Sequence, residues 1–478
     1  MRAALINSAA LSALVAGAFF AAPVMAQSAS AEEDDVTTVV VTGYAASVQK
    51  AQRNKRAADV ISDGIAAEDI GKYPEQNLAE SLQRVTGVQI TRTLGEGQFL
   101  SVRGLDPKFT NIMYNGRQLP SASGTRAFDF QVLSANFASR VDIYKSPSAD
   151  MVESGLAATV NVQTIDPLSI GKRRLAIAAE AGYEEQRPGR ANPHISALYS
   201  DVFLDGKLGV SIALDSNDRA FNSQNVSTDG VVADSTWTGE GTRYRVFGVH
   251  QNDIIGDNKR RSGSLTLQYR PVENLEIRLD SLHSDLKQHY NMYQGNNFYP
   301  AAGALGPSPT DEAAANSDGV WETWSGSNVF AWVQGNRYHF DQKVNSTALS
   351  GKLNLQGWDI SAEISSGKAT EYTTQTYISW ATRAPGADLY YNSTDDPDGP
   401  LSFGFYNGFD ANDPSHYYFF GVQGSYREPT KDSIKSAKFD VVRHFEDAGY
   451  LKAVRFGVNY SDRILATTPN YMTNSAAG

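Results

Sequence analysis

From Pro167 onward the sequence is made of segments of about ten residues in which apolar and polar side chains alternate. Leu265, Leu267 and Tyr269 alternate with Ser264, Thr266, Gln268 and Arg270; Trp358, Ile360, Ala362 and Ile364 alternate with Asp359, Ser361, Glu363 and Ser365. A period of two residues is that of an extended strand with one apolar and one polar face. Nine strands are predicted, near 173–184, 193–204, 207–216, 261–270, 275–285, 343–355, 358–369, 433–445 and 451–463. Their connections alternate in length. Asp205-Gly206, Pro271 to Asn274, Gln356-Gly357 and Glu446 to Gly449 are tight turns, whereas 217–260, 286–342 and 370–432 read as long loops. Strict alternation collects every long loop at one end, the pattern of an outer-membrane β-barrel. A soluble sandwich with one wet face shares the dyad pattern, but unstructured loops of this length are uncommon in compact domains.

Composition conceals this architecture. Hydrophobic residues make up 41% of the 478 residues and mean hydropathy is −0.37, a soluble-looking average that alternating strands produce by construction. The abundant Tyr (23) and Phe (21) suit strands and interfacial girdles. Single-chain bacterial barrels have even strand counts, and large plugged ones have about 22. Nine is odd. The ninth strand runs toward the long-loop end, and TTPNYMTNSAAG (467–478) reads as the start of a further outer loop. Since an open barrel exposes unpaired backbone groups to lipid, residues 168–478 are expected to be the N-terminal, incomplete part of a larger antiparallel transmembrane β-barrel.

The N-terminus has Arg2, an apolar run from Ala9 to Ala22, and Val24-Met25-Ala26 before Gln27, which is the layout of a cleaved signal peptide over 1–26. Cleavage removes one charge, Arg2, and takes the net charge from −11 to −12. Residues 27–46 follow: an acidic tail, QSASAEEDD, and then Val36, Thr37, Thr38, Val39, Val40, Val41 and Thr42, a β-branched run of strong extended preference. From composition alone it is either the first strand of a domain or a peptide that adds to a partner's sheet edge.

Residues 47–167 read as a mixed α+β domain. Leu78, Leu82 and Val85 share one helical face over 77–86, and Gly87 stops the helix. Short strands are predicted at 88–90, 100–103, 111–119, 141–144 and 159–164. Asn115-Gly116 is a hairpin signal, because both turn positions need positive φ. Asp129 is placed to cap a second helix carrying Val132, Leu133, Phe137 and Val141.

Several functions are disfavoured by the residues present. The acidic balance opposes binding to nucleic-acid phosphates. With no Cys there are no disulfides, thiolate metal sites or thiol nucleophiles. HExxH, GxSxG and Walker A patterns are not found, so neither an enzyme nor an ATP-driven machine is indicated, and no cofactor or metal is expected.

The motifs together resemble the TonB-dependent outer-membrane receptors. Val36 to Gly43 is similar to the TonB box. SVRGLDPKFTNIMYNGRQLP (101–120), with Arg103-Gly104 and Asn115-Gly116, resembles the plug signature, and VDIYKSPSADMVESGLAATVNVQT (141–164) resembles the segment that closes the plug. AEDIGKYPEQNLAESLQRVTGV (67–88) is similar to a subgroup common in Xanthomonas- and Caulobacter-like bacteria. Over 170–478 the resemblance rests on strand and loop pattern. It implies an α+β plug inside a barrel in the outer-membrane lipid, and TonB pairing with the box while ExbB and ExbD supply force from the inner-membrane proton gradient. It also implies that Arg103 sits in a buried ion-pair network between plug and barrel.

The resemblance makes 91–99, 105–110 and 119–128 the plug apices, so Arg92, Glu96, Asp106 and Arg126 are candidate substrate contacts, against the alternative of solvated loops. The loop aromatics Trp321, Trp324, Trp332 and Trp380 offer flat faces that suit sugar rings, although loop packing and interfacial anchoring are the commoner reasons for such residues. The subgroup's frequent link to carbohydrate uptake favours an oligosaccharide over a ferric siderophore or haem. A signalling receptor of the same fold carries an extra folded domain before the box, where only 27–35 lie in this sequence. A passive porin needs neither box nor plug.

Overall fold

The computed structural model describes residues 55–478 except 57, 59, 67–76, 122, 153–154, 229, 235–238, 247–248, 299–313, 330, 383–386, 393–401, 406–407, 446–449, 468–469 and 477–478. The expected signal peptide and the Val36–Thr42 segment lie outside the described residues.

The first domain contains β1 (Ser62–Ala66), α1 (Leu78–Leu82), β2 (Val88–Thr93), β3 (Glu96–Val102), β4 (Thr110–Tyr114), β5 (Arg117–Gln118), β6 (Arg140–Tyr144) and β7 (Ala158–Gln163). Its main sheet has the order β1-β6-β7-β4-β5, with β4 and β7 parallel, and β2–β3 form a separate hairpin. Asn77 caps α1 by accepting the Ala79 N–H. Leu78 and Leu82, four residues apart, are fully buried in one core cluster with Leu100, Val102, Val141, Ile143 and Val160. Asn115 (φ 50°) and Gly116 (φ 85°) turn β4 into β5 as the sequence predicts. The second predicted helix is absent. In its place stand two single 3-10 turns, Phe130–Val132 and Ala135–Phe137, capped by Asp129 and Ser134. Ser134 takes the Asn136 N–H that a continuous helix would give to the Val132 carbonyl, which accepts from Ser284 instead, so the segment breaks in two while Phe130, Val132, Leu133 and Phe137 stay buried. Strand β1 carries one large apolar residue, Ile65, too weak a signal to read from the sequence.

After the short helix α2 (Pro167–Ile170) come β8 (Arg174–Tyr183), β9 (Ala191–Phe203), β10 (Leu208–Thr228), β11 (Val231–Ala233), β12 (Tyr244–Val246), β13 (Val249–Val272), β14 (Leu275–Phe298), β15 (Ala314–Ala315), β16 (Trp321–Val329), β17 (Ala331–Leu355), β18 (Trp358–Thr382), β19 (Ala387–Asn392), β20 (Ser402–Phe405), β21 (Tyr417–His444), β22 (Ala453–Ala466) and β23 (Asn470–Ala476). One large antiparallel sheet has the order β22-β21-β18-β17-β14-β13-β10-β9-β8. These are the nine strands expected. Two corrections apply. The strands run well past their predicted ends, so much of 217–260, 286–342 and 370–432 is paired sheet rather than loop. There both faces become polar and the dyad signal fades, although the backbone ladder continues. The segment 467–478 is likewise not only loop: β23 pairs with Gly421–Arg427 of β21, continuing the line of β22 along the same edge. Small ribbons, β11–β12 and β15-β16-β19-β20, decorate the long-connection rim.

Near the tight-turn rim one face of the sheet packs on the plug domain. The other exposes Leu175, Ile177, Leu214, Leu349, Ile364, Phe439, Phe456 and Val458, an apolar belt of the kind that faces lipid. Gly116→Val is expected to cost about 1–3 kcal/mol, because a β-branched residue resists positive φ, although open space surrounds the position. Leu82→Ala is expected to cost about 2–5 kcal/mol by leaving a core cavity. Thermal unfolding monitored by near-UV dichroism checks both, and equal stability of either variant would contradict this packing.

Candidate functional site

The plug meets the inner wall through an apolar patch, where Ala213, Leu282, Leu286, Val344 and Ala369 join its core, and through hydrogen-bonded charge clusters. Nearest the tight-turn rim lies Asp280 of β14. It accepts bonds from Arg278 (2.8 and 3.0 Å), Thr266 (2.9 Å) and the plug's Asn115 (3.1 Å). Arg117, one residue past the plug hairpin, lies 3.3 Å from Asp280 and 3.4 Å from Glu363 of β18. Both Arg117 and Asp280 are almost completely buried. Higher up, Glu96 of β3 accepts from Arg260 (2.7 Å) and Asn258 (3.0 Å) of β13 and from Asn77 (3.0 Å). Asp432 of β21 accepts from the Ser121 backbone N–H (2.8 Å) and from Arg463 (2.6 Å). Asn136 donates to Asp215 of β10 at 2.9 Å. Asp129 accepts from Gln98 (3.0 Å) and from Gln342 of β17 (3.3 Å). Burial, helped by the neighbouring Glu96 and Glu371 carboxylates, pushes Asp129 up to about 6 against those hydrogen bonds.

Above the plug the chemistry changes. The β2–β3 tip touches the wall where Arg219 donates to the Leu94 carbonyl at 2.9 Å. Cross-strand register places Arg219, Asn258, Gln288, Phe340 and Thr373 in one row. The next inward-facing row is Phe221, Gly256, Tyr290, Tyr338 and Gln375; then come Ser223, Ile254, Met292, Asn336 and Tyr377; then Asn225, Asn252, Gln294, Gln334 and Ser379. These three rows contain no formal charge. Tyr290 and Tyr338 stack with ring centres 4.6 Å apart, and Phe221 lies 6.4 Å from Tyr290. Gly256 permits this shelf, since a Cβ there would meet Tyr290 at 2.4 Å and Phe221 at 2.8 Å. Gln375 donates to the Tyr338 hydroxyl (2.6 Å), Asn336 to Gln294 (3.1 Å), Gln334 to Asn336 (2.8 Å) and Ser379 to Gln334 (3.2 Å), a ladder of amides and hydroxyls. A wall of this kind can stack and hydrogen-bond an uncharged polyhydroxylated molecule.

The structure scatters the residues singled out in the sequence. Asn115 and Gly116 form the predicted hairpin turn, and the structure sets Asn115 at the plug–barrel seam, where it donates to Asp280. Arg103 does not join the buried network: it is exposed, at φ 58° in a turn with Gly104 (φ 71°), because the chain reverses after β3 and directs it away from the wall. Arg117 and Arg260 hold that role. Glu96 faces the barrel rather than a ligand. Arg92 is tied to Glu80 (2.5 Å) and Gln83 (2.9 Å). Asp106 caps the turn at Pro107–Phe109 and pairs with Lys108. Arg126 is exposed beside Lys108 and Arg463 at a polar gap. Trp321 is buried in the outer ribbon and donates to Asp234 at 2.9 Å. Trp332 falls on the inward face, whereas strand alternation puts Trp380 on the outward face against Phe419. The side chain of Trp324 lies outside the described residues. The tyrosine shelf and amide ladder were missed, although Tyr290 and Tyr338 do keep the inward parity of Asp280 and Gln342.

Residues 54–160 match the family model described as the TonB-dependent Receptor Plug Domain. No curated protein matches the chain. Among solved structures, the ferric citrate transporter FecA in its unliganded form is similar at 10% identity, over 87% of this chain and 80% of that one, with a TM-score of 0.31. A mutant form of the ferric enterobactin receptor PfeA from Pseudomonas aeruginosa is similar at 11% identity, over 86% and 72%, with a TM-score of 0.37. The copper transporter OprC is similar at 10% identity, over 84% of this chain but 58% of that one, with a TM-score of 0.35.

Arg117→Ala is expected to cost about 3 kcal/mol, because it strands buried carboxylates. The further change Glu363→Ala should restore part of the loss; a double variant no better than the single would contradict the pairing. The raised Asp129 gives a definite sign. An acid whose folded pKa exceeds its unfolded value of about 3.9 stabilises the fold least when ionised. Stability should therefore fall as pH rises from about 4 through about 6. Asp129→Asn should flatten that interval in thermal melts, and an unchanged slope would contradict the assignment.

Proposed function

We propose, on the premise that this chain belongs to the TonB-dependent receptors, that it imports a scarce nutrient across the outer membrane under TonB control, and that the nutrient is a neutral oligosaccharide. The observation that carries the substrate class is the uncharged shelf and ladder directly above the plug. Stacked tyrosines supply apolar faces for sugar rings, and fixed amides supply donors and acceptors at their edges. A ferric siderophore or other anionic chelate is the alternative. It finds no countercharge in the three rows; the cation Arg219, which gives one donor to the Leu94 carbonyl and lies 5.6 Å from the Phe221 ring centre, stands in the row below them.

The plug–barrel seam supports the energised part of the proposal. Beside an apolar patch where Ala213, Leu282, Leu286, Val344 and Ala369 of the wall join the plug core, its contacts are hydrogen bonds and ion pairs, each of which water can replace at a net cost of only about 0.5–1.5 kcal/mol for a neutral bond and more for a charged one. The polar part of such a seam yields stepwise to a pull. In this scheme TonB adds a strand to Val36–Thr42 on the periplasmic side, ExbB and ExbD couple it to the inner-membrane proton gradient, and the pull frees the Asn115–Arg117 hairpin from Asp280. Residues 1–26 direct export, and the belt near the tight turns sits in the hydrocarbon.

Deletion of Val36–Thr42 should abolish energised uptake in whole cells while leaving ligand binding at the surface intact; undiminished uptake would remove TonB from the account. Tyr338→Ala should weaken binding of linear gluco- or xylo-oligosaccharides about tenfold without changing binding of a ferric catecholate. Tight catecholate binding lost in the same variant would instead support the siderophore alternative.

A further inference from the structure

The outward face of the sheet carries a feature that transport does not use. Across β17, β18 and β21, three small residues, Gly351, Ala362 and Ala437, form the floor of a groove of about 520 Å³. Ile364, Phe439 and Tyr460 are among its walls and are strongly exposed. The register places all six on the outward face, since Gly351 pairs with Ala362, Ile364 with Ala437, Ala362 with Phe439, and Ala437 with Tyr460. The size is that of a small-molecule site, and it lies within the apolar belt.

On the same face, toward the long-connection rim, the next outward pairs are Ser366 with Lys435, Lys368 with Ser433, and Thr370 with Lys431. The three lysines are exposed and stand about 7–20 Å beyond the groove floor at the rise of a strand. The nearest outward carboxylate is Asp462, opposite Lys435 across the β21–β22 pair. The neighbouring Lys343 is already engaged by Asp285 at 3.5 Å. A chain of net charge −11 thus concentrates positive charge where the belt ends.

We propose that this face binds an individual phosphorylated membrane lipid of the outer leaflet, an acyl chain in the groove and the phosphate on Lys368, Lys431 and Lys435. The inference rests on the reading that these strands cross the membrane. Groove and lysines follow one another along the direction in which a lipid lies, from chain to headgroup. A free phosphate would meet the lysines but make no use of the groove; a zwitterionic lipid would use the groove but gain little from three cations.

Native mass spectrometry of the full chain, purified in detergent, tests it with bis-phosphorylated lipid A, phosphatidylcholine and inorganic phosphate as probes. Lipid A adducts should survive excess inorganic phosphate and exceed phosphatidylcholine adducts. Lys368→Ser/Lys431→Ser/Lys435→Ser should lower lipid A occupancy roughly tenfold or more, and the matching triple Lys→Arg variant should retain it. Ala437→Trp, which fills the groove, should lower it with the lysines intact. Equal occupancy in the triple Ser variant, displacement by inorganic phosphate, or equal binding of phosphatidylcholine would overturn the site. A protein that fails to float with reconstituted vesicles would instead overturn the membrane-spanning reading beneath it.

Discussion

The carboxylate of Asp280 is the point on which plug and wall depend together. It is buried on β14 and surrounded by donors from both sides: Arg278 and Thr266 from the wall, Asn115 and Arg117 from the plug. A buried carboxylate left without partners is costly. While the plug is seated, that cost is cancelled; were the plug to leave, entering water together with the wall's own Arg278 and Thr266 would keep the charge satisfied. The arrangement is therefore strong enough to hold the plug in one position without making its departure prohibitive. A seam made only of apolar contacts, such as those of Leu282, Leu286 and Val344 with the plug core, would lack that property, because its exposed surface finds no substitute partner in water.

Charge is distributed by height along the inner face. The plug level gathers Asp280, Glu363, Glu96, Arg260, Asp432 and Arg463, all in contact with one another or with the plug. The three rows above it are neutral. The boundary coincides with the β2–β3 tip at Leu94. Gly256 marks the first neutral row, where its missing side chain lets Phe221 and Tyr290 approach. The charged residues that hold the plug and the neutral residues of the proposed ligand wall are thus different residues on the same strands.

What could be read in the sequence follows from how local each signal is. Asn115-Gly116 was legible because positive φ at two successive positions restricts residue type. The lower halves of the strands were legible because an exposed apolar face on one side and the plug on the other go with strict alternation, as in Trp358–Ser365. Their upper halves were not, because above the belt both faces are wet and residues such as Lys287, Gln288 and His289 carry no period. Arg103 and Arg117 lie within one motif, and only the direction of the chain after β3 decides which is buried. Trp321 and Trp380 show the same limit: an aromatic in a loop-like stretch has no face until its strand register is known. The family resemblance named the plug correctly and misplaced its key arginine.

A plug that moves against the wall is central to the proposed import. The chain has no cysteine, so a single engineered pair can be controlled cleanly. Pro120 and Gly367 touch across the seam, a Cβ at Gly367 lying 2.9 Å from the proline ring. With cysteines at both positions, oxidation should leave ligand binding to cells unchanged, stop energised uptake, and be reversed by reductant. Uptake at the wild-type rate with the disulfide verified as formed would contradict a moving plug.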